Sequence, residues 1–308
     1  MTTDALFPGW SDGIVATPGG ARIRFRRGGV GPPLLLLHGN PQTHAIWHRV
    51  APVLSRRFDC VAMDLRGYGD STGPDDPDAP VYDPANYTFR AMAEDALAVM
   101  AACGHARFNV CGHDRGGRVT HRLCLDHPEA VERAAVLDIL PQRHVFAHAT
   151  KDWAMKSWHW VFMPQEGGLP ERMMESVPAE WYLERKIGKP GVGMGIFDPR
   201  ALAEYVRCFT SKTIRASCAD YRACATLDLA MDEADFAAGR RIECPTLVLW
   251  GGGSHTKAVF DDPLPIWRTY VRGPLTGTGV PSGHYLAEHA PEEVLAQLSR
   301  FFTREHAT

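Results

Sequence analysis

The stretch with the most chemical content reads Asn109-Val110-Cys111-Gly112-His113-Asp114-Arg115-Gly116-Gly117. An apolar strand runs into it and a helical pattern follows, with glycines on both sides of Asp114. Glycine permits a turn so sharp that a β-carbon would strike neighbouring backbone. The spacing therefore predicts a strand–turn–helix that pushes the Asp114 side chain outward, where a nucleophile is presented. A plain turn with a helix-capping aspartate is the simpler reading, and the surrounding residues decide against it. A carboxylate is a weak base, but it displaces a leaving group from a saturated carbon. The product is an ester of the protein, which water must then cleave.

The partners for that second step are present in the required order. Asp138 closes the apolar run Val136-Leu137, and His284 sits in Ser282-Gly283-His284-Tyr285, just before the last helical stretch. Asp114, Asp138 and His284 thus read as nucleophile, acid and base. His284 would activate water, and Asp138 would hold the imidazole tautomer and stabilise its cation. Upstream, Leu34–Leu37 leads into His38-Gly39-Asn40-Pro41-Gln42. The backbone amides of Asn40 and Arg115 are expected to stabilise the oxyanion formed at the ester. Arg115 and Arg118 lie one helical turn apart beside the carboxylate. Two guanidiniums there suit an anionic substrate, whose carboxylate they would clamp. The competing reading has one of them paired with an acid in support of the fold.

These motifs together point to the α/β-hydrolase fold, and the chain resembles one family within it, the haloacetate (fluoroacetate) dehalogenases. The resemblance rests on His38-Gly39-Asn40-Pro41-Gln42, Gly112 through Arg118, Leu137-Asp138-Ile139-Leu140-Pro141, Trp158-His159-Trp160, Asp220-Tyr221-Arg222 and Ser282-Gly283-His284. It implies that Arg115 and Arg118 bind a substrate carboxylate and that His159, Trp160 and Tyr221 donate hydrogen bonds to a departing halide. It also implies hydrolysis of a small haloacetate to glycolate, without cofactor or metal, and a homodimer. An imidazole N–H, an indole N–H and a phenol O–H suit that task, because a leaving halide needs donors aimed at developing charge. Asn40 departs from the phenylalanine common in the family and is reminiscent of haloalkane dehalogenases. Lys186–Gly195 is richer in glycine than relatives tend to be.

Three other readings use the same residues. Epoxide hydrolases share the aspartate elbow, but they take their acid after a later strand, and Gly251-Gly252-Gly253-Ser254-His255-Thr256-Lys257 contains none. They also need two tyrosines, for which Tyr182, Tyr205 and Tyr221 are candidates. Haloalkane dehalogenases carry tryptophan where Arg115 stands. A ligand-sensing relative without activity would not need the complete triad.

The elements that must position these residues are legible as a rhythm. Leu34–Leu37, Cys60–Met63, Phe108–Cys111, Ala134–Leu137 and Thr246–Trp250 read as short buried strands, and Phe89–Cys103, Arg118–Asp126 and Pro291–Phe302 as helices. A mostly parallel sheet flanked by helices follows from that alternation. Between Pro141 and Thr226 the alternation stops and aromatics and methionines crowd in. This predicts a core of residues 1–141 and 226–308 and an inserted helical cap of 142–225. The chain has 308 residues, 45% hydrophobic and 22% charged, with a formal net charge of -3. Those values suit a globular protein and give no basis for a nucleic-acid or membrane partner. The eight cysteines form no Cys-x-x-Cys pair, and the N-terminus lacks a signal-peptide profile, so the cytoplasm is expected. The arginines of residues 21–27 read as a solvated strand face, and Gly73–Pro84 as a surface loop. His44/His48 and His144/His148 have a zinc-compatible spacing but no third ligand, so polar surface or cap contacts are expected.

Overall fold

Apolar runs bounded by turn residues become strands buried on both faces, as parallel sheets require. In the computed structural model, which describes residues 3–188, 193–260 and 262–303, these runs form β3 (Pro33–Leu37), β4 (Asp59–Met63), β5 (Phe108–His113), β6 (Val131–Leu137) and β7 (Thr246–Gly251). Leu34, Leu35, Leu36 and Leu37 are wholly buried; each such side chain contributes roughly 1.5–3 kcal/mol. Three further strands, β1 (Ser11–Ala16), β2 (Arg22–Gly28) and β8 (Leu275–Val280), complete an eight-stranded sheet in the order β1-β2-β4-β3-β5-β6-β7-β8. Strand β2 runs against both neighbours, and the remaining pairs are parallel. This is the α/β-hydrolase fold.

The register matters for function. Leu37 lies opposite Gly112, His113 opposite Leu137, and Leu137 opposite Leu249. The residues that follow these strands, including His38, Asp114 and Asp138, therefore emerge along one edge of the sheet. Ligands in such sheets bind outside the carboxyl ends of the strands.

Helices Phe89–Ala102 and Pro291–Phe302 stand where the sequence places them. The latter has proline and two glutamates in its first turn, suited to the positive end of the helix dipole. The helix after the elbow starts at Arg115 rather than Arg118 and runs to Asp126. Between β6 and β7 the described residues form helices, from Gln142–Ala147 through Ser211–Ala225 to Leu227–Ala237, and one isolated bridge from Ile242 to Val271. Of Lys186–Gly195, residues 189–192 lie outside those described. No helix among the described residues is long and apolar enough to cross a membrane.

Two expectations need correction. The arginine face of β2 is not solvated: Arg24 and Arg26 are buried, and both pair with Asp12 of β1. Strand β1 has apolar residues only at Ile14, Val15 and Ala16, so its cover was not visible in the sequence. His44 is a core residue, not a surface one. Its Nδ1 lies 2.8 Å from the buried Asp64, whose carboxylate also accepts from the His44 amide. His48 is buried too, while His144 stacks on His148 with ring centroids 4.1 Å apart.

Candidate active site

The elbow is built by close backbone approach. A β-carbon on Gly112 would lie 2.2 Å from the Gly116 carbonyl oxygen, and one on Gly116 would lie 2.5 Å from that of His38. Only hydrogen fits at either place. Between them Asp114 takes φ 49° and ψ -114°, a conformation that costs a non-glycine residue of order 1–3 kcal/mol. Among the described residues, the non-glycine positions with positive φ are Asp114 and Asp138. Both strained positions are the acids singled out from the sequence.

The Asp114 carboxylate is held from two sides. Its Oδ1 accepts from the Asn40 amide at 2.9 Å, and its Oδ2 lies 3.7 Å from His284 Nε2. On the far side of the imidazole, Nδ1 lies 2.7 Å from Asp138 Oδ2. Asp138 in turn accepts from the Gly251 amide at 2.9 Å and from Thr256 Oγ1 at 3.5 Å. The His284 carbonyl accepts from His113 Nε2 at 2.8 Å. Burial takes the His113 pKa down to about 4, which keeps that imidazole neutral. Burial alone would push the Asp114 carboxyl up. The hydrogen bond and charge of His284, with His113 and Arg115, outweigh it and hold Asp114 well below the usual carboxylate range. The nucleophile candidate is therefore ionised.

The two arginines have different surroundings. Arg118 lines the same cavity as Asp114. Its Nη1 donates to the Leu140 carbonyl at 2.9 Å, its Nε is buried without a partner, and its guanidinium lies 4.6 Å from the Trp160 ring centroid. Arg115 is wholly buried and is not a lining residue. Its Nε and Nη2 both donate to the Asp220 carboxylate, which also accepts from Tyr68 at 2.6 Å. Asp220 outweighs desolvation and raises the Arg115 guanidinium well above its ordinary value. Arg115 Nη1 remains buried without a partner. The Arg115 amide stands at the first position of its helix, where backbone donors are unsatisfied.

His159, Trp160 and Tyr221 come together, although 60 residues of chain separate them. The Tyr221 ring packs edge-on to His159 at 5.7 Å and to Trp160 at 6.1 Å. His159 and Trp160 line the cavity, whereas Tyr221 is not a lining residue and packs against those two. The Asn40 side chain also lines it, and its Nδ2 donates to Ser217 at 3.2 Å. The cavity is about 40 Å³. At roughly 10–15 Å³ per water, that is space for about three water molecules.

Sequence reasoning missed Lys186 and Thr256 as lining residues. Lys186 had a readable signal. In the helix Ala179–Ile187 the buried residues are Tyr182, Leu183, Lys186 and Ile187. That is one helical face, and the lysine lies on it.

A family model described as the alpha/beta hydrolase fold matches residues 32–162. A fluoroacetate dehalogenase of Burkholderia sp is 38% identical over 97% of this chain and 95% of that protein. The chain belongs to the haloacetate dehalogenase family. It is a hydrolase by fold and by kinship. Other similar proteins carry different names. A soluble epoxide hydrolase of Corynebacterium sp. (strain C12) is 28% identical over 92% of this chain and 94% of that protein. Among solved structures, a Nostoc sp PCC 7120 protein provisionally named an α/β hydrolase superposes with TM-score 0.91 at 44% identity. It covers 97% of this chain and 100% of its own. A Pseudomonas aeruginosa protein provisionally named an epoxide hydrolase gives 0.89 at 40%, covering 96% of each.

Proposed function

We propose that this family member hydrolyses the carbon–halogen bond of a small 2-haloacid, haloacetate or fluoroacetate, to the 2-hydroxyacid. The observation that carries the reading is one small cavity lined by an ionised Asp114, the cation Arg118 and the donors His159 and Trp160. Arg118 holds the substrate carboxylate, and Arg115 offers its remaining Nη1 from behind. Asp114 attacks the carbon bearing the halogen, and a carbon–oxygen bond forms as the carbon–halogen electron pair leaves with the halide. His159, Trp160 and Tyr221 receive that charge. His284 then takes a proton from water, which attacks the Asp114 carbonyl carbon. The amides of Asn40 and Arg115 stabilise the oxyanion, and Asp138 stabilises the imidazolium. The tetrahedral intermediate collapses as the bond between the Asp114 carbonyl carbon and the substrate oxygen breaks. That oxygen takes the proton back from His284, and the 2-hydroxyacid leaves. The remaining proton passes to solvent and the carboxylate is restored. No cofactor enters the scheme.

The epoxide reading is less well supported. Tyr205 donates to Glu288 and Tyr182 stacks on Phe209, and neither lines the cavity. The histidine's acid, Asp138, follows β6.

The test is a single turnover in ¹⁸O-labelled water, followed by mass spectrometry. The first product should carry unlabelled oxygen from Asp114, and the label should appear in the protein. Product labelled in the first turnover rules the ester out. His284→Asn should stop the second step and leave an adduct on the peptide containing Asp114.

A further inference from the structure

The cavity holds a second cation that the scheme above leaves without a task. Lys186 comes from the helix Ala179–Ile187, is buried, and lines the cavity together with Asp114, His159 and Trp160. Its Nζ lies 5.9 Å from the centroid of the Tyr221 ring, within the range of a cation–π contact. Tyr221 also carries the Arg115 guanidinium at 4.1 Å, and Trp160 carries that of Arg118 at 4.6 Å. Two of the proposed halide donors thus have positive charge against their rings, which draws electron density from the O–H and N–H groups. Lys186 is on the tyrosine side of the cavity, whereas Arg118 is on the tryptophan side.

The geometry points to Lys186 as a specificity-determining residue for the leaving group, favouring fluoride over the heavier halides. The inference rests on the dehalogenase reading above. Fluoride is the smallest and most basic halide, so its transition state concentrates the most charge on the departing atom. A fixed ammonium stabilises concentrated charge more than diffuse charge. Neutral donors suffice for bromide, whose bond breaks readily. In this step the carbon–fluorine electron pair leaves with fluoride, and the ammonium keeps its protons. A lysine that only helped hold the carboxylate would act equally on every haloacetate, because that group is common to them all.

The experiment compares wild type and Lys186→Met on fluoro-, chloro- and bromoacetate, reading single-turnover halide release by ion chromatography. The fluoroacetate rate should fall at least about tenfold further than the bromoacetate rate, the order expected for losing one charged contact. KM should change little, and Lys186→Arg should recover part of the fluoroacetate rate. An equal loss for all three acids, or a KM increase common to them with rates intact, overturns the assignment. Should Lys186→Met fail to fold, as judged by thermal melting, Lys186→Gln is read in the same way. A wild-type chain that releases no halide defeats the dehalogenase reading itself. Release with selectivity indifferent to residue 186 defeats only the role of Lys186.

Discussion

At the scale of single residues, Asp114 and Arg118 are a matched pair. The carboxylate is kept ionised by His284 and its neighbours, so it repels any anion that approaches unaided. Arg118 offsets that repulsion, and burial lowers its guanidinium from the ordinary value without an acid partner among its described contacts. Replacing Arg118 by alanine should raise KM for haloacetates by roughly 10- to 100-fold, the cost of losing a charge-assisted contact. Steady-state kinetics check this, and an unchanged KM removes Arg118 from substrate binding. Asp114, Asp138, His284 and the arginines were legible because each sits in a motif. The pairing of Arg115 with Asp220 was foreseen only as a type, an arginine with some acid. Asp220 lies 105 positions further along the chain, and no local pattern links them. Lys186 escaped notice because a lysine near a helix end ordinarily reads as solvated.

At the scale of elements, the candidate site is shaped by the turn between β5 and the helix Arg115–Asp126. Gly116→Ala should cost at least about 1–3 kcal/mol, since its methyl would press into the backbone of residues 37 and 38. Denaturant unfolding measures that loss, and a fold as stable as wild type would show that the loop gives way. Buried strands were readable because both faces are apolar. The edge strands β1 and β8 were not. Their sequences, Ser11–Ala16 and Leu275–Val280, carry several glycine, serine and threonine residues and are mostly exposed or half-buried. Pairing with a neighbour, not apolar patterning, makes them strands.

At the scale of the whole molecule, Glu288 joins distant parts. It is wholly buried and accepts from Gln42 beside the Asn40 loop and from Tyr205 in the helix Pro199–Cys208. Burial raises its pKa from 4.5 to about 8. The folded state therefore holds a proton that the unfolded chain releases between those values. The stability this contributes is complete below pH 4.5 and is lost as pH rises through about 8. Glu288→Gln should flatten that part of the stability profile, as followed by melting at a series of pH values. An unchanged slope assigns the titration elsewhere. The inserted helices also expose Met155, Val161, Met173 and Trp181. We propose the homodimer that the family resemblance implies, with these exposed apolar side chains as the candidates for contact with the second copy. Sedimentation should give twice the chain mass for wild type and less for Met155→Glu with Val161→Glu. A monomeric wild type excludes it.

The size of the cavity bears on the order of events in the proposed cycle. With volume for about three waters, a haloacid in place would fill most of the cavity, and in the proposed scheme the water that cleaves the ester would compete with the halide for room. In that scheme the water would enter once the expelled ion has left. Adding free halide should therefore slow the second half of the cycle more than the first, by keeping the incoming solvent molecule waiting outside.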